Sequence, residues 1–284
     1  MNINAILSEA KKMKASDVHF IPGIKPKIRV NRDLIELEQY EPIDKDDILE
    51  VYDYFLKGNV DKDAYFREHK VLDTSAEFED IRLRVNISYS DGLPVIITRL
   101  IRNELPTYEE LGVPDIVRRM TNQTQGLILV TGKTNSGKST TLNALINYIN
   151  DNDNKKILTL ESPVEYKHKC KKSIIVQKEV GVGGDVPSYS IGTKNSLRED
   201  CDILVIGEIR DKETMEAAIE TAESGHLVIG TLHTKSCAET VDRMINFYEV
   251  GDQSQVKYLI ASLLKLVISQ RLIKNKRGTL SLVP

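Results

Sequence analysis

The sequence predicts an α/β protein in two parts: a small α+β part over roughly the first hundred residues and a larger part built on a mostly parallel sheet. Three observations carry this. From residue 127 onward, short apolar runs alternate with segments of helical period, which implies crossovers and helices on both faces of the sheet. A glycine-rich loop follows the first of those runs directly. Before residue 100 the clearest segment alternates apolar and polar residues and ends in a hairpin turn signal.

The elements follow in order. Asp17-Val18-His19-Phe20-Ile21 reads as a short strand stopped by Pro22-Gly23. Asp44 to Lys57 reads as a helix capped by Asp44, with Ile48, Val51, Tyr52 and Phe55 at helical spacing. Ile81 to Tyr89 places Ile81, Leu83, Val85, Ile87 and Tyr89 on one strand face and Arg82, Arg84, Asn86 and Ser88 on the other. Asp91-Gly92 turns the chain into a return strand over Pro94 to Ile101. Pro106, Gly112 and Pro114 mark a connecting segment. The expected division is therefore 1–101, a linker over 102–112, and 113–284. In the last part Leu127 to Thr131, Lys156 to Leu160, Ile203 to Ile206 and Leu227 to Thr231 read as strands. Lys138 to Asn150 and Asp211 to Glu223 read as helices.

Composition narrows the function classes. Apolar residues make up 40% of the 284 and charged residues 29%, enough for real cores and unlike a disordered chain. Lys and Arg number 39 against 42 Asp and Glu, a formal charge of −3, with 6% aromatics and no Trp. That balance argues against coating nucleic acid and against a polybasic membrane anchor. No run approaches the ~20 apolar residues of a spanning helix. Cys170, Cys201 and Cys237 form no CxxC, so neither a zinc site nor a disulfide framework is expected.

The chemistry gathers in the second part. Gly132-Lys133-Thr134-Asn135-Ser136-Gly137-Lys138-Ser139 matches GxxxxGK[ST] between a strand and a helix. Its amides and the helix N-terminus would face phosphate oxygens, Lys138 would reach the β- and γ-phosphates, and Ser139 would ligate Mg²⁺. With Thr140 these positions form the expected ATP-binding set. The run Asp202 to Ile206 leads through Gly207 to Glu208, an acid at the C-terminal edge of the sheet where ligands of open parallel sheets bind. Glu208 would there orient a water or take its proton. Glu161, after the strand ending at Leu160, would share that edge and could hold Mg²⁺. His226 and His233 flank the strand Leu227 to Thr231 and would sense a γ-phosphate.

Taken together and in order, these segments resemble the four boxes of the secretion and type IV pilus motor ATPases. They are the phosphate loop at 132–139, the aspartate box at 161–165, the acidic Walker B box at 202–208 and the histidine box at 225–234. The stretches 16–20, 82–86, 207–211 and 269–272 also resemble family signatures, and the nearest likeness is to PilT-like retraction motors. The chain departs from the pattern with Ser162 in place of Asp, Lys133 in place of Pro and Lys194 in place of Arg.

The resemblance implies a PAS-like N-terminal domain, a RecA-like ATPase domain and a hexameric ring. It places the ring in the cytoplasm, at the inner face of the cytoplasmic membrane, working on an inner-membrane platform protein. It implies ATP between the domains, with Arg82, Arg84 and Arg99 as the matching positions that approach the phosphates and join Glu208, Glu161, His226 and His233 in catalysis. The work implied is pilus retraction. Alternatives are pilus assembly, a type II or type IV secretion or conjugation ATPase, a nucleic-acid translocase and a non-catalytic nucleotide switch.

Overall fold

The computed structural model describes residues 1–101, 105–274 and 280–283. The chain divides into two compact units, Met1–Glu104 and Leu105–Pro284.

The first unit opens with α1 (Ile3–Lys12), whose cap Asn2 accepts from the Ala5 amide. Strands β1 (Asp17–Phe20), β2 (Lys27–Val30) and β3 (Asp33–Glu36) follow, then helices α2 (Lys45–Leu56) and α3 (Val60–His69). Strands β4 (Val71–Phe78), β5 (Ile81–Ser90) and β6 (Leu93–Ile101) complete an antiparallel sheet ordered β3-β2-β1-β6-β5-β4. Asp44 caps α2 through a reciprocal box with Asp47, satisfying amides that the helix cannot pair itself. Ile48, Val51 and Phe55 pack into one core with Leu83, Val85 and Ile87. The β5–β6 turn places Asp91 and Gly92 at φ 50° and 76°, as a primed hairpin requires.

The alternation in β5 fails at two positions. Tyr89, expected in the core, is exposed and stacks on Phe66 with ring centroids 4.6 Å apart. Arg82, expected on the polar face, is buried.

The second unit contains α4 (Asp115–Met120), β7 (Gly126–Thr131), α5 (Lys138–Asn152), β8 (Lys156–Glu161), β9 (Ile174–Glu179), α6 (Tyr189–Ser196) and β10 (Ile203–Ile206). It continues with α7 (Lys212–Glu223), β11 (Leu227–Leu232), α8 (Cys237–Asn246), α9 (Gln253–Leu263), β12 (Leu264–Ser269), β13 (Arg271–Lys274) and β14 (Leu280–Val283). The sheet is parallel throughout, in the order β12-β7-β11-β10-β8-β9. Its four central strands, β7, β11, β10 and β8, are covered on both sides. Ile128, Ile157, Val205 and Ile229 pack on Leu142, Ile146 and Ile149 of α5. Leu129, Leu158, Leu204 and Val228 pack with Met215 and Ala218 of α7 and Val256 and Ile260 of α9. Burial on both faces is why these strands read as unbroken apolar runs.

Of the expected linker, 102–104 lie outside the described residues. Residues 105–112 fall in the second unit, where Tyr108 is buried against Val113, Val117, Val130 and Leu145.

Candidate active site

Parallel strands place all their C-terminal ends on one edge of the sheet, and the loop 132–137 leaves β7 there. Gly137 caps α5 without a side-chain hydrogen bond, so the first amides of α5 are left for an anion. Gly132 cannot be another residue. A Cβ added there would lie 2.4 Å from Ser136 Oγ and 2.5 Å from the Gln270 carbonyl oxygen. Gln270 is fully buried at the end of β12 and clamps the loop: its Nε2 donates to the Ser136 carbonyl at 2.9 Å and its amide to the Thr131 carbonyl at 2.8 Å. Gln270 Oε1, Ser136 Oγ and Thr141 Oγ1 are buried with no hydrogen-bond partner among the described residues. A cavity of about 350 Å³ borders the loop, also lined by Lys235, Gln270, Arg271 and Leu272.

Lys138 is folded onto its own loop. Its Nζ donates to the carbonyls of Gly132 at 3.0 Å and Lys133 at 3.1 Å. Burial pushes its pKa down, and the field of Glu208 opposes that only in part. An ammonium held by two neutral carbonyls in a buried place is poised for an anionic partner. Ser139 is exposed at the first turn of α5, and its carbonyl accepts from Asn143 Nδ2 at 2.9 Å. Thr140 meets the Tyr166 hydroxyl. Lys133, Thr134 and Asn135 are exposed.

Strand order explains what stands opposite the loop. β11 lies between β7 and β10, so His233, just beyond β11, sits beside the turn that carries Glu208. That turn is pinned on both sides: the Gly207 amide donates to Leu160, its carbonyl accepts from Thr231 Oγ1 at 2.6 Å, and the Ile209 amide donates to Thr231. Glu208 Oε1 meets Arg210 Nε at 2.5 Å and His233 Nε2 at 2.9 Å. Burial and the positive charge of Lys138 lower the His233 pKa, with Glu208 pulling the other way. A lowered pKa favours the neutral ring, whose Nε2 lies within reach of the carboxylate. A cavity of about 490 Å³ opens here, lined by Glu208, Arg210, His233, Asp242 and Arg243 among others.

Glu161 ends β8 on the same edge. It is buried, and its Oε1 accepts from Thr159 Oγ1 at 2.8 Å and Gln177 Nε2 at 3.1 Å. Burial pushes its carboxyl pKa up against those bonds.

His226 lies elsewhere. It precedes β11, whereas His233 follows it, and the six residues of the strand span about 20 Å at ~3.3 Å each. His226 therefore lies at the opposite edge, where its Nδ1 meets Ser224 Oγ at 3.0 Å and its carbonyl accepts from Gly126. Within this chain it stands apart from the loop, Glu208 and His233.

The three arginines also separate. Arg82 is committed within its own unit, Nη1 to Glu77 Oε1 at 2.7 Å and Nη2 to Ser75 Oγ at 3.0 Å. Arg84 and Arg99 are exposed and directly opposed on β5 and β6. Arg99 Nε reaches Asp17 Oδ1 at 3.0 Å. Sequence reasoning gave no role to Arg210, Gln270 or Lys235. Signature stretches pointed at the first two without revealing what they touch, and nothing in the sequence marked Lys235.

A glycine-rich loop at the C-terminal edge of a parallel sheet, with a carboxylate across one intervening strand, defines a P-loop nucleotide-binding protein. The type II/IV secretion system protein family matches residues 1–279, and the chain belongs to that family. The chain is 37% identical over 279 residues to the type IV pilus retractation ATPase PilT of Pseudomonas aeruginosa, covering 98% of this chain and 80% of that one. The crystal structure of the pilus retraction motor PilT with bound ADP matches with a TM-score of 0.92 at 36% identity, over 99% of this chain and 81% of that one. The Legionella pneumophila ATPase DotB matches with a TM-score of 0.89 at 26% identity, over 99% and 78%. The fold is accordingly an N-terminal domain followed by a RecA-like ATPase domain.

Proposed function

We propose that this chain is a motor ATPase that hydrolyses ATP to drive type IV pilus dynamics, with retraction as its direction of work. The observation that carries the reading is the loop 132–139 and the pinned Glu208 on one sheet edge, in a chain this similar to a pilus retraction ATPase.

ATP would lie along the loop amides, with Lys138 leaving the carbonyls of Gly132 and Lys133 for the phosphates. The donor set suits Mg²⁺. Among the described residues no three or more His, Cys, Asp or Glu side chains cluster as a metal cage. Mg²⁺ beside a nucleotide needs only one or two protein ligands, the phosphates and water supplying the rest. Ser139 would hold it directly and Glu161 through its carboxylate or a bound water; the ion would neutralise charge on the β- and γ-phosphate oxygens. Glu208 prepares the attacking water and takes its proton, and His233 and Arg210 hold that carboxylate in place. Arg84 and Arg99, exposed where Arg82 is buried, would be the arginines to meet phosphate, Arg99 by leaving Asp17. Like charges opposed across two strands repel, and an incoming anion would relieve this.

Assembly as a homohexamer, and work on an inner-membrane platform protein from the cytoplasmic face, belong to the same proposal. Among the described residues no helix is long and apolar enough to cross a membrane. The test is phosphate release from ATP with Mg²⁺ by the purified chain, alongside pilus retraction in cells lacking it. Absence of turnover in wild type overturns the enzyme reading. Turnover with normal retraction in the deletion strain, and loss of protein export instead, would favour a secretion ATPase, the reading that the family's breadth keeps in view.

A further inference from the structure

Helix α5 carries a polar stripe that its apolar periodicity hides. Thr140, Asn143, Asn147 and Asn150 recur at helical spacing, and each bonds the segment that follows Glu161. Thr140 meets Tyr166. Asn150 donates to the Lys169 carbonyl at 2.8 Å and accepts from the Lys171 amide at 2.9 Å. Between these lies His168, with Nε2 2.7 Å from Asn143 Oδ1 and Nδ1 2.7 Å from Asn147 Oδ1. The His168 amide donates to Gln177 Oε1 at 2.9 Å. Gln177 Nε2 donates in turn to Glu161 Oε1 at 3.1 Å and to the Tyr166 carbonyl at 2.7 Å. On the other side Asn143 Nδ2 holds the Ser139 carbonyl. A continuous chain of hydrogen bonds therefore runs from the residue after Lys138 through His168 to Glu161.

We propose that His168 is a positioning residue for ATP turnover, setting Glu161 against the start of α5 through Asn143 on one side and Gln177 on the other. Two amide oxygens facing one ring would suit an imidazolium. Burial, however, pushes the His168 pKa down to about 4, so the ring carries one proton near neutrality. Asn143 is fixed by its bond to Ser139, which makes Nε2 the donor. A turn of the Asn147 amide would then give an N–H to Nδ1. The ring thus acts as a two-ended strut. The neighbouring bonds at Thr140 and Asn150 would keep the segment attached to α5 without it. What its loss removes is the spacing between Asn143 and the Gln177–Glu161 pair. Outer partners of this kind are worth about 10–100-fold in metal affinity or activity.

The inference rests on the ATPase reading above, and its test separates the two. The full chain is compared as wild type, His168→Ala, His168→Gln and Asn150→Ala. The readouts are kcat and KM for ATP, the Mg²⁺ dependence of fluorescent ADP binding, and thermal unfolding. His168→Ala should lower kcat about tenfold or more and raise the Mg²⁺ needed for half-saturation, with metal-free ADP affinity unchanged. His168→Gln, which again offers a donor and an acceptor, should restore most of both. Asn150→Ala should lower the melting temperature while leaving kcat per folded molecule at the wild-type value. If His168→Ala does not fold, Asn147→Ala removes one end of the strut and should shift kcat and Mg²⁺ dependence in the same direction. A His168→Ala protein with wild-type kcat and Mg²⁺ dependence would overturn the positioning role alone. So would equal losses in His168→Ala and Asn150→Ala that track unfolding. A wild-type chain without turnover would overturn the proposed function, and this inference with it.

Discussion

His233 Nε2 and Arg210 Nε converge on the same oxygen of Glu208, at 2.9 and 2.5 Å. An imidazole and a guanidinium thus fix the carboxylate at the sheet edge, where the proposed function has it accept a proton from water. Glu208→Gln keeps the size of the side chain and removes the basicity. It should cut ATP turnover by about 10²-fold or more while nucleotide binding persists, since general base catalysis contributes on that scale. Phosphate release and equilibrium ADP binding on the same preparation check it. Turnover near wild type would remove Glu208 from the proposed role.

The loop itself is sensitive at a single hydrogen atom. Gly132→Ala would drive a Cβ to within 2.4 Å of Ser136 Oγ and 2.5 Å of the Gln270 carbonyl, and the second of these is backbone that cannot yield cheaply. Overpacking of this kind costs about 1–3 kcal/mol. The expected outcome is a lower melting temperature together with loss of nucleotide binding, as the loop is pushed off Gln270. Unchanged ADP affinity would show that the clamp does not shape the loop.

Much of this was legible because it is local. β7, β8, β10 and β11 read as unbroken apolar runs since both faces of the sheet are covered, and Glu208 follows such a run directly. β9 was not legible: its apolar run is only Ile174-Ile175-Val176 before Gln177-Lys178-Glu179, and its residues are exposed or only partly buried. α9 and β12 were hidden in one apolar stretch, because helix passes to strand between Leu263 and Leu264 with no turn residue to separate them. The two histidines around β11 looked equivalent because spacing along a strand does not say which end faces the ligand. The clamp by Gln270 on Ser136 joins residues 134 apart, which no local pattern encodes.

The arginines of the first unit give a contrast that separates structure from function. Arg82 is buried and holds Glu77 and Ser75, so Arg82→Ala strands partners and should cost about 1–3 kcal/mol of stability. Arg84 is exposed. Arg84→Ala should leave the unfolding free energy within about 0.5 kcal/mol of wild type while lowering turnover. The pair is read by chemical denaturation beside phosphate release. Turnover falling with Arg82→Ala alone, in proportion to unfolding, would take Arg84 out of the proposal.

Acid should expose the cost of keeping His168 neutral. Its pKa in the folded chain is pushed down to about 4, against an ordinary imidazole value of 6.5. The folded state therefore binds this proton less readily than the unfolded state. The associated stability is whole above about pH 6.5 and is lost as pH falls toward 4, a difference on the order of 3 kcal/mol. Glu161 acts in the opposite sense: its raised pKa favours the folded state in acid and withdraws that support as pH rises. The absolute curve mixes the two, so the comparison is wild type against His168→Gln, which has no imidazole to protonate. Urea denaturation at about pH 7 and about pH 4.5 should show wild type losing clearly more stability than the variant between those points. Parallel losses in the two proteins would mean that the half-buried ring at 168 is not the group being charged.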